Sequence, residues 1–344
     1  MKKIYNILNA SIEVTAEEDV IKFVDNCVYE LPLLDSSSYK YFVTYIKDPK
    51  EYMSLSNKLR KNNIIRFYGE EYKDRIVDKD TIYLIDDNSI IIHNGNRFVI
   101  VGNTDFSKNH VVYLIREAIY EGFILKNNLL IHSAAFAKNN DSSLLIGRPG
   151  AGKTTLLMEL LMNTDYDYVS NDLVGIINNK AMASIIPVRI ANGTMSRFDN
   201  KEYKNLEEKR TINLKDFLKE FNLDIKNNVL VRNIIFPKFN INGSFNINEM
   251  NYTESMKIIE SQLMNFQDDV RPYLWVNEYD RRLVDREQLI VKLIHMLSNA
   301  NIYEIEYGRS ISKENIKEMK RVIESWWNMF YYLTEEEEYI LLIK

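Results

Sequence analysis

The sequence predicts an α/β protein in which a β-rich α+β region precedes a larger domain with a mixed sheet. Three observations carry this expectation. Strand-like runs cluster before residue 108, apolar strands alternate with helical patterns after it, and a glycine-rich turn joins a strand to a helix at 144–155. At 344 residues the chain suits one large or two ordinary domains, here divided as 1–108 and 109–344.

In the first region Tyr41–Ile46 and Thr81–Ile85 read as strands. Ser89–His93 and Asn96–Val101 flank Asn94-Gly95, a turn signal that predicts a hairpin. His93 has no partner at metal-ligand spacing and reads as a structural residue. Val111, Val112, Leu114, Ile115, Ala118, Ile119, Phe123 and Ile124 recur at helical spacing and predict a helix over 109–125. Leu129–Ala137 is an apolar strand with His132 inside it. A short polar turn at 138–142 then makes it the antiparallel neighbour of the strand ending at Ile146.

Beyond the glycine-rich turn, the sequence predicts a helix over 154–162 and a strand over 168–172 that ends on Asn171-Asp172. A meander follows over 173–187, then a charged helical or loose stretch over 196–228. A buried strand is expected from Val229 to Phe236, ending at Pro237, and helices over 249–265 and 285–299. A strand over 302–307 and a terminal helix over 312–333 complete the chain, and Glu335–Glu338 reads as a solvated charge run.

Gly147-Arg148-Pro149-Gly150-Ala151-Gly152-Lys153-Thr154 matches G-x-x-x-x-G-K-[ST], and Thr155 extends it. Gly150 and Gly152 allow a tight bend and close approach of a ligand. The N–H groups of this loop, from Gly147 to Thr155, and the positive end of the helix behind it suit a phosphate chain. Lys153 would supply a point charge to the β- and γ-phosphates and Thr154 a hydroxyl to Mg²⁺. The motif thus predicts a site for a nucleoside triphosphate, ATP, with Mg²⁺. Such a site needs an acidic partner at the end of a strand beside the loop's own, and Asp172 fits as metal ligand or proton acceptor. Arg189, Arg232 and Lys238 lie near expected strand ends and are candidates to neutralise phosphoryl charge.

Composition excludes several classes. The formal net charge is −5 and no basic stripe suggests nucleic acid. Cys27 is the only cysteine, so no internal disulfide forms and a reducing compartment is expected. Met1–Asn6 shows no secretory apolar core and no run of about 18 apolar residues occurs, so a cytoplasmic protein without membrane association is expected.

Three pieces, LIHSAAF before the glycine-rich loop, the loop itself and YVSNDLVGI after it, together resemble HPr serine kinase/phosphorylase and its wider relatives, including kinases of peptide-maturation clusters. The resemblance covers 110–190 well, continues loosely to the C-terminus and does not reach 1–108. It implies a P-loop kinase domain of the type shared with phosphoenolpyruvate carboxykinase, and commonly a homo-oligomer. By the resemblance, His132 lies close to the phosphates, Lys153 and Thr154 are the phosphate and Mg²⁺ residues, and Asn171-Asp172 replaces two adjacent aspartates. The first of that pair is the usual base, so Asp172 is expected to take both tasks, as catalytic group and as metal ligand, or the chemistry differs. Ile186–Thr194 does not reproduce the family's glycine-rich glutamate stretch, so neither HPr as substrate nor reversal by phosphate is expected.

The expected activity is therefore transfer of the ATP γ-phosphoryl group to a hydroxyl, a serine of a peptide or small protein or a small-molecule alcohol, with His132, Lys153 and Asp172 as catalytic residues. Residues 1–108 would recognise the acceptor or mediate assembly. The competing readings are a nucleotide-gated peptide-binding protein without transfer and a GTPase switch. The switch is disfavoured because no N-K-x-D element follows the loop.

Overall fold

The chain is a mixed α/β protein with mixed sheets. The computed structural model describes residues 1–33, 39–62, 74–78, 81–198, 204–240, 243–264, 285–308 and 311–336. The first sheet contains β1 (Lys2–Ile7), β2 (Ala10–Thr15), β3 (Tyr39–Lys47), β4 (Asp74–Asp78), β5 (Thr81–Ile85), β6 (Ser89–Asn94) and β7 (Arg97–Gly102), in the order β1-β2-β3-β7-β6-β5-β4. β3 runs parallel to both β2 and β7, and the other neighbours are antiparallel. Helix α1 (Glu18–Cys27) supplies the crossover that the parallel β2–β3 pair requires, burying Val20, Ile21, Val24 and Cys27 along one stripe. Helix α2 (Pro49–Asn62) follows β3, and Tyr52 and Leu59 pack with Ile85, Ile90 and Val101. The Asn94-Gly95 hairpin forms as the sequence predicts. His93 stacks on Phe98 with ring centroids 4.4 Å apart and its Nε2 lies 2.6 Å from Gly95 O, a structural position.

Helix α3 (Asn109–Leu125) takes the predicted range. It is buried nearly all round, His110, Glu117 and Glu121 included, as a helix covered on two sides must be. Val111, Leu114, Ile115 and Ala118 share one core with Tyr5, Ile12 and Val43 of the first sheet, and that core continues to Leu130, Leu173 and Met182 of the second.

The second sheet begins with β8 (Leu129–Lys138) and β9 (Asp141–Ile146), antiparallel as expected. Helix α4 (Lys153–Asn163) leaves the glycine-rich loop and buries Leu156, Leu157, Leu160 and Leu161. Then come β10 (Asp167–Ser170), β11 (Leu173–Ile177), β12 (Lys180–Met182), β13 (Val188–Ala191), the short α5 (Asn192–Met195), β14 (Lys209–Ile212), α6 (Leu214–Glu220) and β15 (Val229–Phe239). β16 (Asn246–Glu249), α7 (Tyr252–Glu260), α8 (Arg286–Ser298), β17 (Asn301–Tyr307) and α9 (Lys313–Glu336) complete the described chain. Strands β8, β9, β15, β12 and β11 pair in sequence around a closed circuit, with β17 and β16 continuing outward from β15. Asn178 and Asn179 turn β11 into β12 with φ of 48° and 60°, the left-handed pair of a type I′ turn. Helices α4, α6 and α9 cover one face of this sheet, and α7 and α8 the other.

Three expectations need correction. The stretch 196–228 is not only helical or loose, since β14 pairs with β13 as a two-stranded ribbon. Pro237 does not end its strand. β15 runs on to Phe239 beside β17, while its pairing with β9 stops at Ile235, so the missing proline N–H faces no ladder there. The strand leading to Asp172 is not beside β9, because β8 lies between them. Of the charge run Glu335–Glu338, Glu337 and Glu338 lie outside the described residues. Among the described residues, no helix is long and apolar enough to cross a membrane.

Gly175 in β11 is where α3 meets the second sheet. A Cβ there would lie 2.4 Å from the Phe123 ring. We expect Gly175→Ala to lower stability by about 1–3 kcal/mol, the ordinary cost of overpacking, and Phe123→Leu in the same chain to recover part of it. Urea denaturation of the single and double variants measures both.

Candidate functional site

The loop 147–152 leaves the C-terminal end of β9 and is held from behind. Ala151 N donates to Arg148 O (3.1 Å), Phe239 N donates to Ala151 O (3.2 Å), and the buried Tyr307 hydroxyl donates to Gly152 O (2.7 Å). Gly150 and Gly152 have φ of 83° and 93°, which any side chain would strain. At Gly152 a Cβ would also fall 2.0 Å from the Tyr307 oxygen. Helix α4 starts immediately afterwards, and its first backbone N–H groups have no intrahelical acceptor. The first N–H to reach back is that of Leu156, to Gly152 O at 2.9 Å. Arg148, Pro149 and Gly150 are exposed and form the outer lip.

Lys153 is buried at this helix start. Its ammonium donates to Gly147 O at 2.6 Å and lies 3.5 Å from Arg148 O. Burial pushes its pKa down to about 8, Asp172 works against that shift, and Lys209 adds to it. Between about 8 and the ordinary 10.5 the unfolded chain therefore binds more protons at this lysine than the folded one, so its effect on stability improves as pH rises through that window.

His132 and Asp172 meet, with Nε2 and Oδ1 3.4 Å apart. The backbone brings this about. β10 and β11 are consecutive stretches that both run antiparallel to β8, and the pair Asn171-Asp172 interrupts them beside β8. Leu173 pairs with His132 in the ladder, while on the other side His132 N donates to Gln262 O (2.9 Å). His132 lies one residue before Ser133, which pairs with Ile146 at the end of β9, so the imidazole is placed at the loop's end of the sheet. Asn171 is buried. Its Nδ2 donates to Arg189 O (2.9 Å), and its Oδ1 is buried with no hydrogen-bond partner.

A cleft of about 170 Å³ opens beside Asp172. Val112, Tyr113 and Arg116 of α3 form one wall, Arg189 and Thr211 of the β13–β14 ribbon the other, and Asn171 and Asp172 line it between them. Arg116 is held by Glu117, with Nη2 and Nε 2.6 and 2.8 Å from Oε1, and lies over the Tyr113 ring. The ribbon is tied at both ends, to Asn171 through Arg189 O and to α4 through the Thr194 and Thr155 hydroxyls, 2.9 Å apart.

Of the basic residues singled out in the sequence, only Arg189 reaches this region. Arg232 pairs with Asp141 at the opposite end of β9, and Lys238 faces Glu304 and Glu306. Arg116 and Lys209 were missed, because each reads as the polar face of an element whose neighbours in space are far off in sequence. Ser89, His110 and Asp86 form a second polar cluster, with Ser89 Oγ 2.8 Å from His110 Nδ1 and His110 Nε2 3.2 Å from Asp86 Oδ2, and all three are buried.

Among the described residues, no group of three or more His, Cys, Asp and Glu could hold a metal ion unaided. The oxygens of Thr154 and Asp172 nevertheless suit Mg²⁺, a hard cation that usually takes only one or two protein ligands beside phosphate. The arrangement can thus hold an anion at the α4 N-terminus, neutralise it with Lys153, and present to the cleft the Asp172 carboxylate, backed by the His132 imidazole. Compared with protein-family models and with curated proteins, the chain matches none of either.

Gly152→Ala should lose most affinity for inorganic triphosphate, because the new methyl displaces Tyr307 or the loop, and should cost about 1–3 kcal/mol of stability. Isothermal calorimetry and thermal unfolding read the two effects separately.

Proposed function

We propose that the protein is an ATP-dependent kinase with a P-loop domain of the HPr kinase type, moving the γ-phosphoryl group to a hydroxyl. The single observation that carries the reading is the pairing of His132 with Asp172, 3.4 Å apart, where Asp172 lines the cleft and its charge acts on Lys153 of the loop. In this reading the N–H groups of residues 150–155 cradle the triphosphate and Lys153 neutralises its outer oxygens. Thr154 and Asp172 hold Mg²⁺, which when bound offsets the charge that develops on the phosphates. Asp172 accepts the proton of the acceptor hydroxyl as that oxygen bonds to the γ-phosphorus and the β–γ bridging oxygen departs with its electron pair. His132 steadies the carboxylate and, when protonated, adds positive charge near the transferred group. With Asn171 where the related kinases carry an aspartate, Asp172 is the one acidic side chain of the pair.

Phosphate charge brought to Lys153 restores its ammonium. Binding of MgATP should therefore take up protons at pH 8–9, near and above the lysine's pKa of about 8, and none below pH 7, where the ammonium is already formed. Calorimetry in buffers of different ionisation enthalpy counts the protons, and Lys153→Met should abolish both the uptake and most of the affinity.

Asp172→Asn should slow labelled phosphoryl transfer from γ-labelled ATP by roughly 10²–10⁴-fold, the usual worth of a general base. His132→Ala should slow turnover more than it weakens ATP binding, because its contact matters most in the transition state. The double variant should lose less than the sum of the two, since the residues act as one unit. Near-normal transfer by Asp172→Asn would defeat the reading, and hydrolysis of equal rate with and without acceptors would favour a nucleotide-gated binding protein.

A further inference from the structure

The cleft beside Asp172 has charge as well as shape. Its lining carries two guanidinium groups, Arg116 on α3, which is paired with Glu117, and Arg189 on the ribbon, together with the carboxylate of Asp172. That carboxylate already faces His132 and feels the charge of Lys153. Arg116 cannot swing away easily, being held by Glu117 and stacked over Tyr113. Arg189 is exposed at the opposite wall, with its backbone fixed by Asn171. Val112, Ile186 and Pro187 add apolar surface to the lining beside Tyr168 and Ser184. A volume of about 170 Å³ admits a small molecule or a side chain with its immediate neighbours, and no folded surface.

Resting on the kinase reading, we propose that this cleft selects an acceptor that carries an anionic group within a few atoms of its hydroxyl. The hydroxyl would sit at Asp172 and the anion between Arg116 and Arg189, where planar guanidinium groups match a carboxylate or phosphate. Arg189 is a specificity-determining residue in this arrangement. The same chemistry arises in a free hydroxy acid or in a serine flanked by an acidic residue in a peptide.

Binding without nucleotide separates this proposal from the kinase reading. The probes are glycerate against glyceramide, and a pentapeptide with aspartate beside its serine against the same peptide with asparagine. In at least one pair the anionic member should bind about tenfold or more tighter, as expected for hydrogen bonds to a charged group, and the pair that responds identifies the source. Arg189→Glu should abolish or invert that preference, and Arg189→Lys should keep most of it. Equal binding within both pairs, no binding of any of the four probes, or a preference unchanged in Arg189→Glu would each overturn the proposal. MgATP binding, measured separately on the wild-type chain, tests the kinase reading. Its loss would sink that reading and leave the anion preference to stand or fall on the probes.

Discussion

The site depends on the hydrogen bonding of β8. This strand is paired along both edges, by β9 and then Gln262–Leu263 on one side and by β10 and β11 on the other. A strand so enclosed, with Ala134 and Phe136 packed in one core and Ile131, Ala135 and Ala137 in another, cannot slip by one residue without exchanging the side chains of its two faces. His132 is therefore fixed in height relative to the loop after β9 and to the Asn171-Asp172 interruption. No direct side-chain contact between the loop and Asp172 is needed to set their spacing. The sheet sets it, and the side chains inherit the arrangement.

Much of this was legible in the sequence, because the relevant signals are local. The α3 range followed from apolar spacing, the β8–β9 hairpin from the polar stretch 138–142, of which only Asn139 and Asn140 form the turn, and the loop from glycine placement. His132 and Asp172 were also named in advance, and their meeting follows from two strands that share an edge. What stayed hidden was long-range. Arg116 precedes Asp172 by more than fifty residues on a helix whose pattern speaks only of burial. The ribbon escaped because Lys209-Arg210-Thr211-Ile212 is short, mostly exposed and charged, so it lacks the apolar alternation that marks a half-buried strand. Pro237 misled because proline usually ends a central strand, and only the early end of β9 makes it tolerable here.

Electrostatics at the helix start are poised between opposing demands. Lys153 is buried enough to lose part of its basicity, yet it lies where backbone N–H groups also gather positive potential. The loop carbonyls of Gly147 and Arg148 accept its hydrogen bonds meanwhile. An incoming anion thus competes with two carbonyl oxygens, weak rivals for an ammonium compared with a charged phosphate.

The two walls of the cleft differ in stiffness. Helix α3 is packed on both sides, against the first sheet and against Gly175 of the second, so it can shift only if the core on both of its sides repacks. The opposite wall is a two-stranded ribbon whose outer strand is largely exposed, an element marginal on its own that is secured here by Val188 and Ile190 in the core with α4 and α6 and by a few hydrogen bonds. Whatever enters the cleft meets an anvil on one side and a spring on the other. Adjustment to guests of different size falls to Arg189 and Thr211, while Tyr113 and Arg116 keep a constant template.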